Sequence, residues 1–135
     1  MKITKQFSTA IGLSIAFLLA HIAIVSLSQD QVINLILIIG AMIAAQVMAF
    51  IVLRRNMNGI KISFKSIFLL LCLTQFFSVI FLTLYSAYAP WGDGHPVHFD
   101  ELITSLILFA GVLPLIITSI FWFGTVKKRN EGIAG

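Results

Sequence analysis

Most of the chemistry-bearing residues in this chain crowd one polar stretch, residues 89–101, which reads APWGDGHPVHFDE. It holds Asp93, His95, His98, Asp100 and Glu101. Imidazoles and carboxylates are the ligands of Zn²⁺ or Cu²⁺, and a histidine titrates at about 6.5. The stretch therefore has the makings of a metal or pH sensor, with His95, His98 and Asp93 as candidate ligands. The spacing is wrong for a helical pair, however, and Pro96 lies between the two histidines. Proline lacks the N–H that a helix needs. The plainer expectation is a solvated turn without bound metal, in which Asp100 or Glu101 caps the helix that follows.

A second set of polar residues is scattered through apolar runs. His21, Asn34, Gln46, Gln75 and Thr118 each sit among Leu, Ile, Val, Phe and Ala. His21 is the only ionisable group well inside such a run, apart from the thiol of Cys72. Buried ionisable groups in a membrane are candidates for proton or substrate handling. The structural alternative pairs His21 with Asn34. With a rise of about 1.5 Å per residue, Gln46 and Gln75 lie about 10 and 13 Å from the basic ends of their runs. Ser14 and Thr118 fall at a comparable depth. These four are expected to form one polar layer, either as glue between helices or as a polar step on a permeation path.

The elements that position them are four apolar runs, at about 8–28, 32–53, 66–88 and 102–124. A helix crossing the hydrocarbon core needs about 20 apolar residues. Hydrophobic residues make up 59% of the 135 residues and charged residues 10%, against about 45–50% and 25% in soluble domains. The expectation is one integral domain, an all-α antiparallel four-span bundle. The first run also has the basic start of a signal peptide. It is longer than the usual h-region, so a retained span is expected.

Charge sets the expected orientation. All nine Lys and Arg fall at the N-terminus, in residues 54–65 or after the fourth run. The other side takes Asp30, Asp93, Asp100 and Glu101. Short basic loops stay in the cytoplasm, so both termini are expected there, in a bacterial-type inner membrane. That face should attract anionic lipid. The net charge of +4 therefore reads as topology and not as nucleic-acid binding. Tyr85, Tyr88 and Trp91, and at the other face Phe121, Trp122 and Phe123, suit headgroup belts.

Helices in lipid associate through small residues. Span one carries Ser8, Gly12, Ala16 and Ala20 at intervals of four, and span two carries Ala41, Ala45 and Ala49. The two rows are expected to face each other, the alternative being a homodimer seam. Pro114, with Gly111 before it and Thr118 after it, should kink span four.

Enzyme signatures are missing. There is no phosphate loop, G-x-S-x-G, HExxH or cysteine pair, and Cys72 is the only cysteine. No acidic residue lies within a span, unlike the small four-helix drug exporters with their proton-coupling carboxylate. The expectation is a non-enzymatic accessory, assembly or immunity-type partner of a larger membrane complex, without cofactor. The alternatives are a small oligomeric transporter or channel using His21, Gln46 and Gln75, and the sensor described above.

Overall fold

A computed structural model describes residues 2–88 and 98–133. The described chain is helical, without strands, and has four helices long and apolar enough to cross a membrane. These are α1 (Ile3–Leu27), α2 (Gln31–Asn56), α3 (Phe64–Tyr88) and α4 (Phe99–Glu131). Helix is what lipid demands of such runs, because it satisfies every backbone polar group within the segment.

The helix ends carry local chemistry. Asp30 caps α2, its carboxylate accepting from the N–H groups of Val32 and Ile33 at 2.9 and 3.3 Å. The Asn34 amide reaches back to the Ser28 carbonyl at 3.1 Å, which ties the short α1–α2 link. Ser63 caps α3 by accepting from the N–H of Ser66 at 3.1 Å. Between α2 and α3 the chain turns through Asn58-Gly59, where Gly59 takes a φ of 76° that other residues rarely adopt.

Helix α3 is the hub. It packs against α1, α2 and α4, and α1 also packs on α2. The main apolar cluster joins Ala49, Phe50 and Leu53 of α2, Ile67, Leu70 and Leu71 of α3, and Ile117 and Val126 of α4. Phe50 and Phe121 stack with ring centroids 4.2 Å apart. The buried residues of each helix lie towards the end that adjoins Lys or Arg. None is buried on α1 after Phe17, on α2 before Met42 or on α4 before Pro114. On α3 no described side chain after Val79 is buried.

The last helix continues past the apolar run that ends at 124. A π-helical turn over Trp122–Val126 carries it through Gly124 into Lys127–Glu131. Arg129 then donates to the carbonyls of Met57 (2.6 Å) and Ile60 (2.9 Å). Asn130 pairs with both backbone groups of Ile62, donating to its carbonyl at 2.7 Å and accepting from its N–H at 3.1 Å. The end of α2 leaves carbonyls without intrahelical partners, and Arg129 and Asn130 bond the turn just beyond it. The aromatics at this end of α4 divide. Phe121 and Trp122 pack inward, Trp122 edge-on to Phe64 at 6.0 Å, and only Phe123 stays outside at 71% exposure. Trp91 lies outside the described residues.

Removing this clamp should loosen the basic end. Arg129→Ala and Asn130→Ala are each expected to lower stability in detergent by about 1.5–3 and 0.5–1.5 kcal/mol respectively. Arg129→Lys should restore little, because one ammonium nitrogen cannot reproduce the two separate guanidinium nitrogens that reach the two carbonyls. Tryptophan-monitored thermal unfolding reads all three variants, and an unshifted midpoint for Arg129→Ala would refute the clamp.

Candidate functional site

Six of the described buried side chains are polar. Ser14, Gln46, Thr74, Gln75, Ser78 and Thr118 all have 0% exposure. They come from all four helices, and Ser14, Gln46, Gln75 and Thr118 are the four that depth alone would place in one layer.

The hydroxyls of Ser14, Thr74 and Ser78 are bonded. Ser14 on α1 shares its proton between the carbonyls of Ala10 (2.6 Å) and Thr74 (2.9 Å). Ser78 lies 3.3 Å from Ser14 and donates to Thr74 O at 2.8 Å. Thr74 donates to Leu70 O at 2.9 Å. So α1 is fastened to α3 by two hydroxyls, those of Ser14 and Ser78, which meet at the Thr74 carbonyl. Thr74 and Ser78 were not anticipated as site residues. Their spacing of four, flanking Gln75, was the available signal.

The amides are not bonded. Neither the amide nitrogen nor the oxygen of Gln46 or Gln75 has a hydrogen-bond partner among the described residues, and the Thr118 hydroxyl has none. Other helical hydroxyls here donate to the carbonyl four residues back, as Ser119 and Thr125 do at 2.8 and 3.1 Å. Thr118 does not. Unsatisfied buried polar groups cost about 1–3 kcal/mol each, and native proteins keep few of them.

Ser8, Gly12 and Ala16 do not face the Ala41, Ala45 and Ala49 row. They lie on the outside of α1, whose buried face is Ala10, Ser14 and Phe17. A Cβ added at Gly12 would meet no atom within 4 Å. The hydroxyl bonds to α3 set this rotation, because they turn the Ser14 edge inward. Ala20 and Ala41 are half-buried, while Ala45 and Ala49 are buried.

His21 is half-buried. Asn34, expected beside it, spends its amide nitrogen on Ser28, and its oxygen is buried with no partner. Pro114 is buried on α4 directly after a π-helical turn over Leu108–Val112, in which the Leu113 N–H bonds to Leu108 O. A proline ring collides with the carbonyl four residues back, and the wider turn relieves that contact. Such turns recur at functional sites.

His95 and Asp93 lie outside the described residues. His98 occupies the cap position of α4 without a side-chain cap bond, and Asp100 and Glu101 stand in the first turn. The acids thus complement the helix dipole and neither is the capping residue. Among the described residues no group of three or more His, Cys, Asp or Glu could hold a metal.

The two kinds of polar contact predict opposite responses. Ser14→Ala should destabilise the bundle by about 0.6–1.7 kcal/mol. Gln46→Leu and Gln75→Leu should be neutral or stabilising by about 1–3 kcal/mol, because each removes an unsatisfied amide. Unfolding titrations in mixed micelles distinguish these, and a loss of stability in both glutamine variants would mean that the amides bond to each other. No profile of a known protein family matches this chain, and neither a curated protein nor a solved structure proves similar to it.

Proposed function

We propose that this chain is a non-enzymatic multi-pass protein of a bacterial-type inner membrane, an accessory or assembly partner within a larger membrane complex. In this reading it is an antiparallel bundle with both termini cytoplasmic. The clustering of Lys and Arg beside the packed halves of α1, α2, α3 and α4 supports that orientation.

The uneven packing carries the proposal. α2 from Gln31 to Ala41 and α4 from Phe99 to Leu113 contain no buried residue, so the outer half of the bundle has little packing of its own. An apolar helix of a partner would find surface there, with a smooth approach site at Gly40; Gly12 offers another on the exposed side of α1 in the packed half, and an added Cβ meets nothing within 4 Å at either. Small residues at such sites let backbones approach closely.

A small oligomeric transporter or channel is the second reading, favoured by the unbonded Gln46, Gln75 and Thr118. The same layer has no exposed surface, which weighs against an open polar path past it in this state.

Affinity capture from native membranes with mass spectrometry separates the two. A stoichiometric partner is expected with the wild-type chain and should be lost with Gly12→Leu or Gly40→Leu. Both substitutions point away from the packed interior and should leave thermal unfolding unchanged. Recovery of homo-oligomers alone, together with solute flux that Gln46→Leu abolishes, would replace the first reading with the second.

A further inference from the structure

We infer that the cleft beside the basic end of α2 binds the phosphate group of an anionic phospholipid. The cleft has a volume of about 440 Å³ and is lined by Phe50, Ile51, Arg54, Arg55 and Asn58. That is within the range of about 300–1,000 Å³ of small-molecule sites. The inference rests on the membrane reading of the four helices and does not depend on any protein partner.

The three arginines of the packed end are used differently. Arg129 is occupied by the Met57 and Ile60 carbonyls. Arg54 and Arg55 are exposed and have no hydrogen bond or ion pair among the described residues. Two adjacent cations without counter-charge raise the local positive potential. A guanidinium forks onto phosphate oxygens through two parallel N–H donors.

The negative end of the α2 dipole would oppose an anion here. Arg129 answers that objection, because its charge already sits on the Met57 carbonyl at the helix end. The charges of Arg54 and Arg55 are left for a ligand.

The rest of the lining favours a lipid over a free ion. Arg54 immediately follows the apolar run of α2, so the cleft lies where hydrocarbon meets headgroups. Phe50 is held in place by its stack on Phe121. Ile51 is 38% exposed beside it, an apolar wall for the glycerol and the start of an acyl chain. Asn58, exposed and with no hydrogen-bond partner among the described residues, rides on the turn that Arg129 fixes, and offers an amide to an ester oxygen.

The test uses the full chain in phosphatidylcholine nanodiscs, with and without phosphatidylglycerol, read by native mass spectrometry and thermal unfolding. Retained phosphatidylglycerol and a raised midpoint are expected for the wild type. Arg54→Gln/Arg55→Gln should weaken both about tenfold. Lys127→Gln/Lys128→Gln removes the same charge from the same end and should change neither. Equal losses in the two double variants would overturn the site in favour of diffuse attraction. Arg54→Lys/Arg55→Lys keeps charge and fold and should still bind more weakly than wild type; full binding would refute the forked contact. Inorganic phosphate, added to lipid-free protein in detergent, should not reproduce the stabilisation. Matching protection by phosphate would overturn the lipid assignment.

Discussion

Lipid offers helices no hydrophobic reason to associate, since its tails are as apolar as leucine. Close packing and hydrogen bonds must supply what burial from water supplies elsewhere, and in this protein α3 concentrates both. One of its edges receives the Ser14 hydroxyl through Thr74 and Ser78. Others meet α2 and the stretch of α4 around Pro114. Of the remaining helices, α1 and α2 also pack closely on each other. The Phe50–Phe121 stack is the main bridge between α2 and α4.

This arrangement leaves a contrast at the middle of the packed half. Hydroxyls are short enough to bond backbone carbonyls within the helix and across it, so Ser14, Thr74 and Ser78 are buried without loss. Carboxamides are longer and need two partners. Gln46 and Gln75 are buried at the same depth with neither atom bonded. Their cost is opposed by the apolar cluster directly beneath them, from Ala49 to Leu53 and Ile67 to Leu71. A bundle with so little packing in its other half has few reserves, so two such amides are an unusual expense to carry.

Much of this was legible in the residues. Run length and apolar content mark four helices, and depth along each run picks out Ser14, Gln46, Gln75 and Thr118, all of which are buried. Helix rotation was less legible. Gly12 and Ala16 look like a packing seam by spacing, yet the Ser14 and Ser78 hydroxyls decide which edge of α1 turns inward. Spacing alone does not rank a smooth face against a bonded one. The continuation of α4 past Gly124 was also hidden. A glycine and a basic cluster read as a helix end, and only the carbonyls at Met57, Ile60 and Ile62 give Arg129 and Asn130 a reason to stay helical. The π-helical turn before Pro114 is a backbone response that no residue pattern announces.

The Arg129 latch joins groups 72 positions apart in the chain. Protein chains are made from the N-terminus, at about 5–20 residues per second. The turn after α2 therefore leaves the ribosome long before its fastener does, and the carbonyls of Met57 and Ile60 must be held by water in the interval. The basic end thus has two successive forms, open during synthesis and locked afterwards. Closing so long a loop adds only a slowly growing entropic cost, so the order of events follows from chain length and not from a high barrier.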